Sequence, residues 1–214
     1  MSECFKSNYK IIKAMEGRGV DKQDLILFNQ ESGEQHYRLL SQLACHFAGQ
    51  TIIDIGTHRG MSAFALSIVD RAGTTPGKNK IISVDIVGNV SAEMQKLLQS
   101  RNVVLSLDNL MLPETRASAR WKAILLGSAF IFLDINSPDG AMQYDFYLFL
   151  RDNGYQGFVV CKHIWYSDGM RNNFWYKIPA SDKQDITGMG HWSGTGILFP
   201  GNCPVFSRGV ENFS

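Results

Sequence analysis

The chain is poor in cysteine and has almost no net charge, and each absence excludes a class of protein. Its four cysteines, Cys4, Cys45, Cys161 and Cys203, are scattered over 214 residues and form no CxxC pair. This spacing argues against a disulfide framework and a structural zinc site, and it favours a reducing compartment. Lys and Arg total 21 against 20 for Asp and Glu, a net charge of +1. The overall charge therefore gives no reason to expect nucleic acid or a membrane surface as a partner.

Long hydrophobic runs are also missing. The most apolar stretch, residues 123–133, contains Gly127 and Ser128 and runs directly into Asp134, so it is too short to span a bilayer. The first six residues lack the apolar core that a signal peptide needs. We therefore expect a cytoplasmic globular protein, in keeping with a content of 44% hydrophobic and 19% charged residues.

What the chain does have is a regular alternation of short β-branched runs with helical periodicity. Nearly continuous apolar runs predict strands at 51–55, 80–85, 102–107, 129–134 and 157–162. Apolar stripes with helical spacing predict helices before the first strand (Leu40, Leu43, Ala44, Phe47), at 61–70, at 91–100 behind a Ser91 cap, and at 142–150 before Asn153-Gly154. Strands that are apolar on both faces and alternate with helices indicate a parallel sheet built from βαβ units.

The last third of the chain has a different pattern. Residues 176–187 and 197–199 resemble two strands on either side of a glycine-rich loop, 188–196, with no helix between them. This pattern predicts an antiparallel hairpin at the edge of the sheet. We expect one domain over residues 1–214, with a helical lead-in at 1–49, a core at 50–165, and a helix plus the edge hairpin at 166–214.

A glycine turn follows the first predicted strand. In Asp54-Ile-Gly56-Thr-His-Arg-Gly60 the glycines let the backbone approach a ligand, and the free N–H groups at the next helix suit an anionic or zwitterionic group. The spacing is not GxGxxG, and a glycine in such a turn is often only structural. Asp85 ends the next strand, where a carboxylate can accept the ribose hydroxyls of a nucleoside.

Together these segments resemble the class I S-adenosylmethionine-dependent methyltransferases. The glycine turn is similar to the first motif of that family and Val84-Asp85 to its second, while Leu107-Asp108-Asn109 and Leu133-Asp134 fall at the tips of strands three and four. The resemblance implies a Rossmann-like, doubly wound α/β sheet of seven strands, mostly parallel, with an antiparallel last strand. It also implies S-adenosylmethionine as cofactor. The cofactor-binding residues it suggests are Asp54, Gly56, Thr57, Gly60, Ser62, Asp85, Asp108 and Asn109.

The segment Leu133-Asp-Ile-Asn-Ser-Pro-Asp-Gly140 and the glycine-rich loop are similar to a narrower set, bacterial and viral methyltransferases of sugar or small-molecule hydroxyls. Many of these bind a divalent cation, Mg²⁺ or Mn²⁺, through acids at the tips of strands four and five. Asp134 matches the first position, but Lys162 and His163 stand where an Asp pair is expected. Because hard cations prefer oxygen ligands and an ammonium repels them, metal binding by Asp134 is doubtful.

Methyl transfer from a sulfonium is an in-line displacement, so the enzyme mainly aligns donor and acceptor and handles the acceptor's proton. The candidate catalytic residues are Asp134, Lys162, His163 and His191. Which nitrogen serves as the base is open. The Asp134 and Lys162 positions also resemble two members of the Lys-Asp-Lys-Glu tetrad of RNA ribose 2′-O-methyltransferases, although the other two members have no convincing match.

Two histidines and two tryptophans outside these motifs also need an interpretation. His36 and His46 lie on the lead-in helix and are expected to be ordinary surface or packing residues. Trp165 and Trp192 are the candidate acceptor-binding aromatics, since a flat ring suits stacking on a sugar or base.

The leading hypothesis is therefore an S-adenosylmethionine-dependent O-methyltransferase whose partner is a small-molecule or glycan acceptor. The alternatives are an RNA ribose 2′-O-methyltransferase, a nicotinamide-dependent oxidoreductase and a non-catalytic nucleoside-binding module. The acceptor's identity and the oligomeric state, a homodimer included, stay open.

Overall fold

The computed structural model describes residues 31–47, 49–67 and 79–201. The first 30 residues of the expected lead-in, residues 68–70 of the second predicted helix, Cys4 and Cys203 lie outside the described residues. The helices are α1 (Glu31–His46), α2 (Met61–Leu66), α3 (Ala92–Gln99), α4 (Pro113–Ala117), α5 (Ala119–Leu126) and α6 (Ala141–Asp152). The strands are β1 (Thr51–Ile55), β2 (Lys80–Asp85), β3 (Val103–Leu107), β4 (Phe130–Leu133), β5 (Phe158–Lys162), β6 (Lys183–Asp185) and β7 (Thr195–Leu198).

The strands of the described part form one sheet in the order β3-β2-β1-β4-β5-β7-β6. The first five are parallel, and β7 pairs antiparallel with both β5 and β6. The order reverses between β1 and β4, so the loops that follow these two strands leave a crevice at their carboxyl ends. The predicted Rossmann-like sheet with an antiparallel last strand is confirmed.

Both faces of the sheet are covered, which explains the nearly continuous apolar runs in its strands. Ile52 and Phe130 face one side with Leu40 of α1 and Phe64 of α2. The residues that alternate with them face α5, α6 and the segment after β5, and the core on that side contains Ile53, Ile131, Trp121, Phe146 and Phe174. The period of two along each strand therefore separates two hydrophobic cores.

The helices begin and end for local reasons. The hydroxyl of Ser91 accepts a hydrogen bond from the backbone N–H of Met94 at 3.2 Å, which confirms the predicted cap of α3. Ser118 caps α5 in the same way. Helix α6 ends at Asp152 with Asn153 as its C-cap, and Gly154 follows with φ +68°, as the Asn-Gly pair predicts.

Two expectations are wrong in detail. The long strand predicted at 176–187 is only β6, because Pro179 lies within that span and single 3₁₀ turns, Trp175–Lys177, Ala180–Asp182 and Thr187–Met189, take up most of the rest. The helix expected after residue 166 is a short π-helical turn, Met170–Phe174. None of the helices in the described residues is long and apolar enough to cross a membrane.

Candidate functional site

The glycine turn between β1 and α2 passes directly over the end of β4. Gly56 has φ +98°, and a Cβ there would lie 1.9 Å from the backbone oxygen of Asp134. Gly60 has φ +90°, and its Cβ would come within 3.1 Å of Leu98 and Met94 on α3. Both glycines are therefore required by the chain's own path. Packing alone explains them, whatever ligand the turn binds.

Asp54 supports this turn from beneath. Its carboxyl is completely buried and accepts hydrogen bonds from the hydroxyls of Ser83 at 2.5 Å and Ser62 at 3.1 Å. Thr57 joins the same cluster through a 2.6 Å contact between its hydroxyl and that of Ser83. Burial raises the pKa of Asp54 to about 7. The two serine hydrogen bonds lower the pKa, but their effect is smaller than that of burial. The cluster ties β1, β2 and the first turn of α2 together below the crevice.

Asp85 links the turn to the tip of β2. Its Oδ2 accepts the backbone N–H of His58 at 2.8 Å, and its Oδ1 accepts those of Ile86 at 2.7 Å and Val87 at 3.2 Å. An ionised carboxylate offers about four lone-pair sites, so these three donors leave about one for a ligand. Asp85 can therefore accept one ribose hydroxyl as it stands, where the sequence suggested both.

A cleft of about 730 Å³ opens above the strand tips. One end is formed by the loops after β1, β2 and β3, including Gly56, Asp85, Asp108 and Asn109. The other end is formed by Asp134, Lys162 and His163, with Met142 and Tyr166 beside them. The structure thus brings seven of the predicted site residues around one space. Asp54, Thr57, Gly60 and Ser62 lie under or beside it and do not line it.

At the end of the cleft formed by the tips of β4 and β5, Asp134 lies between two nitrogen donors. Its Oδ2 is 2.9 Å from the Lys162 ammonium, and its Oδ1 is 3.3 Å from Nε2 of His163. Burial alone would raise the pKa of this carboxyl. The hydrogen bond from His163 and the charge of Lys162 outweigh burial and hold the pKa well below its usual range. Asp134 is therefore an anion that serves as a counter-ion, and it is a poor proton acceptor.

This donor set does not fit a divalent cation. Both oxygens of Asp134 are already engaged, and the neighbouring strand tip offers an ammonium and an imidazole where a hard cation needs oxygen ligands. No group of three His, Cys, Asp or Glu side chains that could hold a metal occurs within residues 31–47, 49–67 and 79–201. The geometry therefore gives no support to Asp134 as a metal ligand.

His163 and His191 meet across the hydroxyl of Ser193. Ser193 Oγ is 2.8 Å from Nδ1 of His163 and 2.6 Å from Nδ1 of His191. His163 has φ +70°, an uncommon conformation for a residue with a Cβ, and its backbone N–H donates to the Gly194 oxygen at 2.8 Å. Burial and then the charge of Lys162 lower the pKa of His191 to about 4. Ser193 is a member of the site that sequence patterns did not indicate.

His36 of α1 also belongs to this neighbourhood. It is 2% exposed, its ring centre lies 5.0 Å from that of Phe132 and 6.0 Å from that of His191, and neither ring nitrogen has a hydrogen-bond partner in the described part of the chain. Burial lowers its pKa to about 3. His36 lies four residues before Leu40, and this helical spacing is the sequence feature that indicates that both side chains face the core.

The predicted aromatic residues take different places. The indole N–H of Trp165 donates to Asp185 at 2.9 Å, and its ring contacts those of Trp175 and Tyr176, so Trp165 braces the β6 edge and does not line the cleft. Trp192 is 69% exposed beside His191. The ring that borders the cleft is that of Tyr166, 5.2 Å from the ring of His163.

Solved structures of similar fold exist. Cofactor-bound Rv0187 from MTB is 14% identical, with 94% of this chain and 91% of that chain covered at a TM-score of 0.52. A candidate O-methyltransferase from Klebsiella pneumoniae is 15% identical, with coverages of 90% and 89% and a TM-score of 0.50. The chain shares the Rossmann-like fold of these two structures. No protein-family model and no curated protein sequence matches it.

Proposed function

We propose that the protein is an S-adenosylmethionine-dependent O-methyltransferase that acts on a hydroxyl group of a sugar, a glycan or another small molecule. One observation carries the proposal. The carboxylates suited to a nucleoside and the Asp134–Lys162–His163 cluster border the same 730 Å³ cleft, at the strand tips where this fold places its ligands.

The nucleoside end has the groups that such a cofactor needs. Asp85 retains about one acceptor site for a ribose hydroxyl, and Asp108 and Asn109 lie on the adjoining loop. Leu110 and Ile86 give the same end an apolar lining suited to adenine. When bound, the cofactor supplies an electrophilic methyl group on a sulfonium. The residues of this chain hold it and orient it towards the second half of the cleft.

The acceptor end has nitrogen donors close to a half-buried carboxylate. Lys162 can bind and orient a hydroxyl oxygen, and Tyr166 and Met142 offer an apolar wall for the rest of the acceptor. We assign Asp134 the role of holding both nitrogen groups in place, because its two oxygens contact one each. This arrangement gives no support to the oxidoreductase alternative. The RNA alternative is tested by including RNA among the acceptors.

The first experiment is cofactor binding by calorimetry. S-adenosylhomocysteine should bind the full-length protein, and Asp85→Ala should weaken binding at least about tenfold, since one hydrogen bond to the ligand and the anchor of the turn are both lost. Asp145→Asn, an exposed carboxylate of α6 that does not line the cleft, is the matched control. Equal affinity of the Asp85 variant and wild type would refute the assignment, and binding of NAD instead would favour an oxidoreductase.

The second experiment is transfer of a labelled methyl group to a panel of monosaccharides, oligosaccharides, phenols and capped RNA. Lys162→Met should lower turnover by about 100-fold or more and leave cofactor affinity within a factor of about two, because the change lies at the acceptor end. Lys122→Met, an exposed lysine of α5, controls for loss of charge. Cofactor binding without transfer to any member of the panel would favour the non-catalytic binding module.

A further inference from the structure

Strand β3 lies at one end of the sheet, and within the described residues β2 is the only strand that pairs with it. An edge strand of this kind carries a row of backbone N–H and C=O groups that can pair with another chain. The groups that are free, and the surface around them, indicate what kind of partner this edge fits. The inference concerns the far end of the sheet from β6 and does not depend on the proposed function.

The ladder between β2 and β3 shows which backbone groups of β3 are engaged. At its start the N–H of Ile81 donates to the oxygen of Asn102 at 3.2 Å. At its end the N–H of Asp108 donates to the oxygen of Asp85 at 3.1 Å. In a parallel ladder every second residue of a strand faces its neighbour, and the register between these two bonds is unbroken. The even-numbered residues of β3 therefore bond to β2.

The odd-numbered residues of β3 point the other way. The N–H and C=O groups of Val103, Leu105 and Leu107 are directed out of the sheet, and none of them has a hydrogen bond within the described part of the chain. The free groups are evenly spaced over the whole length of the strand. An extended segment laid along this edge can pair with all of them.

The two edges of the sheet differ in how they are protected. Strand β6 has three residues and is charged at both ends, with Lys183 and Asp185. Short length and charge are two of the means by which proteins keep an edge strand from pairing with another chain. Strand β3 has five residues, none of them charged and none proline. Its side chains Val104 and Leu107 are 46% and 68% exposed. The β3 edge therefore lacks the protection that the β6 edge has.

A groove of about 520 Å³ runs along the β3 edge. All five residues of β3 line it, and Gln95 and Gln99 of α3 form part of its wall. Asp85 is the one charged residue among those that line it. The groove therefore fits the side chains of an extended and uncharged segment.

Strand β3 itself meets that description. When the strand is turned by 180° about an axis through Leu105, it lies antiparallel to its own copy. Leu105 then faces Leu105 of the second copy and Val103 faces Leu107, so the outward groups form three pairs with two hydrogen bonds in each. Val104 faces Ser106, and no charges meet. A net charge of +1 adds little repulsion between the two molecules.

We propose that the protein forms a symmetric dimer in which β3 pairs antiparallel with β3 of a second copy and the two sheets become one. The pairing satisfies the outward backbone groups and brings the exposed side chains of Val104 and Leu107 into an interface. A five-residue strand and its groove make a small interface, so the dimer should dissociate on dilution.

The first test is sedimentation velocity of the full chain over about a hundredfold range of concentration around the micromolar level. The wild type should change from one chain to two as the concentration rises. Val104→Lys should raise the dissociation constant at least about tenfold, because it places two ammonium groups diagonally across the axis. Val104 belongs to neither hydrophobic core, so the variant should keep its fold.

Gln184→Lys adds the same charge to the exposed middle of β6 and is the matched control. It should leave the dissociation constant unchanged. A wild type that stays monomeric over the whole range would overturn the proposal. So would a dimer that Gln184→Lys weakens and Val104→Lys does not.

Disulfide trapping tests the register. Facing residues at positions 104 and 106 form a non-hydrogen-bonded pair with Cα atoms about 4.5 Å apart, which a disulfide can span. Two residues at position 104 lie diagonally, about 7–8 Å apart, which is too far. A mixture of Val104→Cys and Ser106→Cys chains should therefore give a cross-linked dimer on mild oxidation. Either variant alone, and the wild type with its four cysteines, should not. A cross-link in Val104→Cys alone, or none in the mixture, would overturn the pairing about Leu105.

Hydrogen exchange distinguishes a second copy from any other cover of this edge. The amides of Val103, Leu105 and Leu107 should exchange more slowly in the concentrated wild type than in Val104→Lys at the same concentration. The amides of Val104 and Ser106, which bond to β2, should be protected in the dilute and the concentrated wild type alike. Protection of the three outward amides in a monomer would show that another part of the same chain covers the edge, and would overturn the proposal.

Discussion

Replacing Asp54 by asparagine tests how the buried carboxyl beneath the glycine turn affects folding. In the folded protein burial raises its pKa from 3.8 to about 7, so the native state holds this proton more tightly than the unfolded chain does. Stability should therefore fall as the pH rises from about 4 to about 7, and the fall should end above that range. Each pH unit inside the window costs about 1.4 kcal/mol, so the change from pH 5 to pH 8 is about 2–3 kcal/mol.

The assay is urea unfolding of wild type, Asp54→Asn and the control Asp145→Asn at pH 5, 6, 7 and 8. The wild type should lose about 2–3 kcal/mol more than Asp54→Asn across this range, because asparagine accepts the serine hydroxyls but does not ionise. Asp145→Asn should follow the wild type, since Asp145 is exposed on α6. Parallel pH curves for wild type and Asp54→Asn would refute the raised pKa, whatever the absolute stability of the variant.

Two further substitutions test the packing that carries the site, each by thermal or urea unfolding. Gly56→Ala should lower the free energy of unfolding by roughly 3 kcal/mol or more, because its Cβ would lie 1.9 Å from a backbone oxygen. Gly154→Ala is the control: it also has positive φ, but with open space around it, and should lower the free energy of unfolding by about 1–2 kcal/mol. Equal losses in the two variants would contradict the clash at Gly56. Phe130→Ala should cost about 3–5 kcal/mol because its ring stacks on Phe158 at 5.0 Å in the core, and the 62%-exposed Met189→Ala should stay within about 0.5 kcal/mol.

The central strands were predictable because the sheet is buried on both faces. A run such as Phe130–Leu133 is apolar throughout in that setting, and no amphipathic helix has that pattern. The same argument fails at the edge. Strand β6 reads Lys183-Gln184-Asp185 and has little apolar content, because it lies at the edge of the sheet and two of its three residues are exposed. Its position became visible only through its pairing with β7.

Helices α4 and α5 were missed for a related reason. Helix α5 buries only Trp121 and Leu125, two positions one turn apart, and α4 is five residues long with Pro113 at its first position. A stripe this short cannot be distinguished from a loop by periodicity. Helix α1, in contrast, repeats its buried positions over several turns, and α3 adds the Ser91 cap, so both could be predicted.

The candidate site also has a part that could be predicted from the sequence and a part that could not. Asp85, Asp108, Asp134 and Lys162 could be predicted to converge because each ends or directly follows a strand, and parallel strands bring their carboxyl ends to one edge. The Ser193 bridge could not be predicted, because it depends on the path of the glycine-rich loop through Gly194 with φ +101°. Sequence spacing carries no information on which side chains a loop hydroxyl contacts.

The prediction that separates this site most sharply from a cation-dependent one is insensitivity to chelation. In a cation site a divalent ion occupies the carboxylate oxygens, whereas here the Lys162 ammonium contacts Oδ2 of Asp134 and Nε2 of His163 faces its Oδ1, so side chains alone engage both oxygens. Methyl transfer should therefore be unchanged by EDTA and should not rise when Mg²⁺ or Mn²⁺ is added. Lys162→Asp supplies the reciprocal test. It removes the ammonium and adds an oxygen ligand beside Asp134, so calorimetry should detect weak Mn²⁺ binding in the variant and none in the wild type. Loss of wild-type activity in EDTA, with recovery on adding Mg²⁺, would contradict the assignment of Lys162 and His163 as the groups that occupy the oxygens of Asp134.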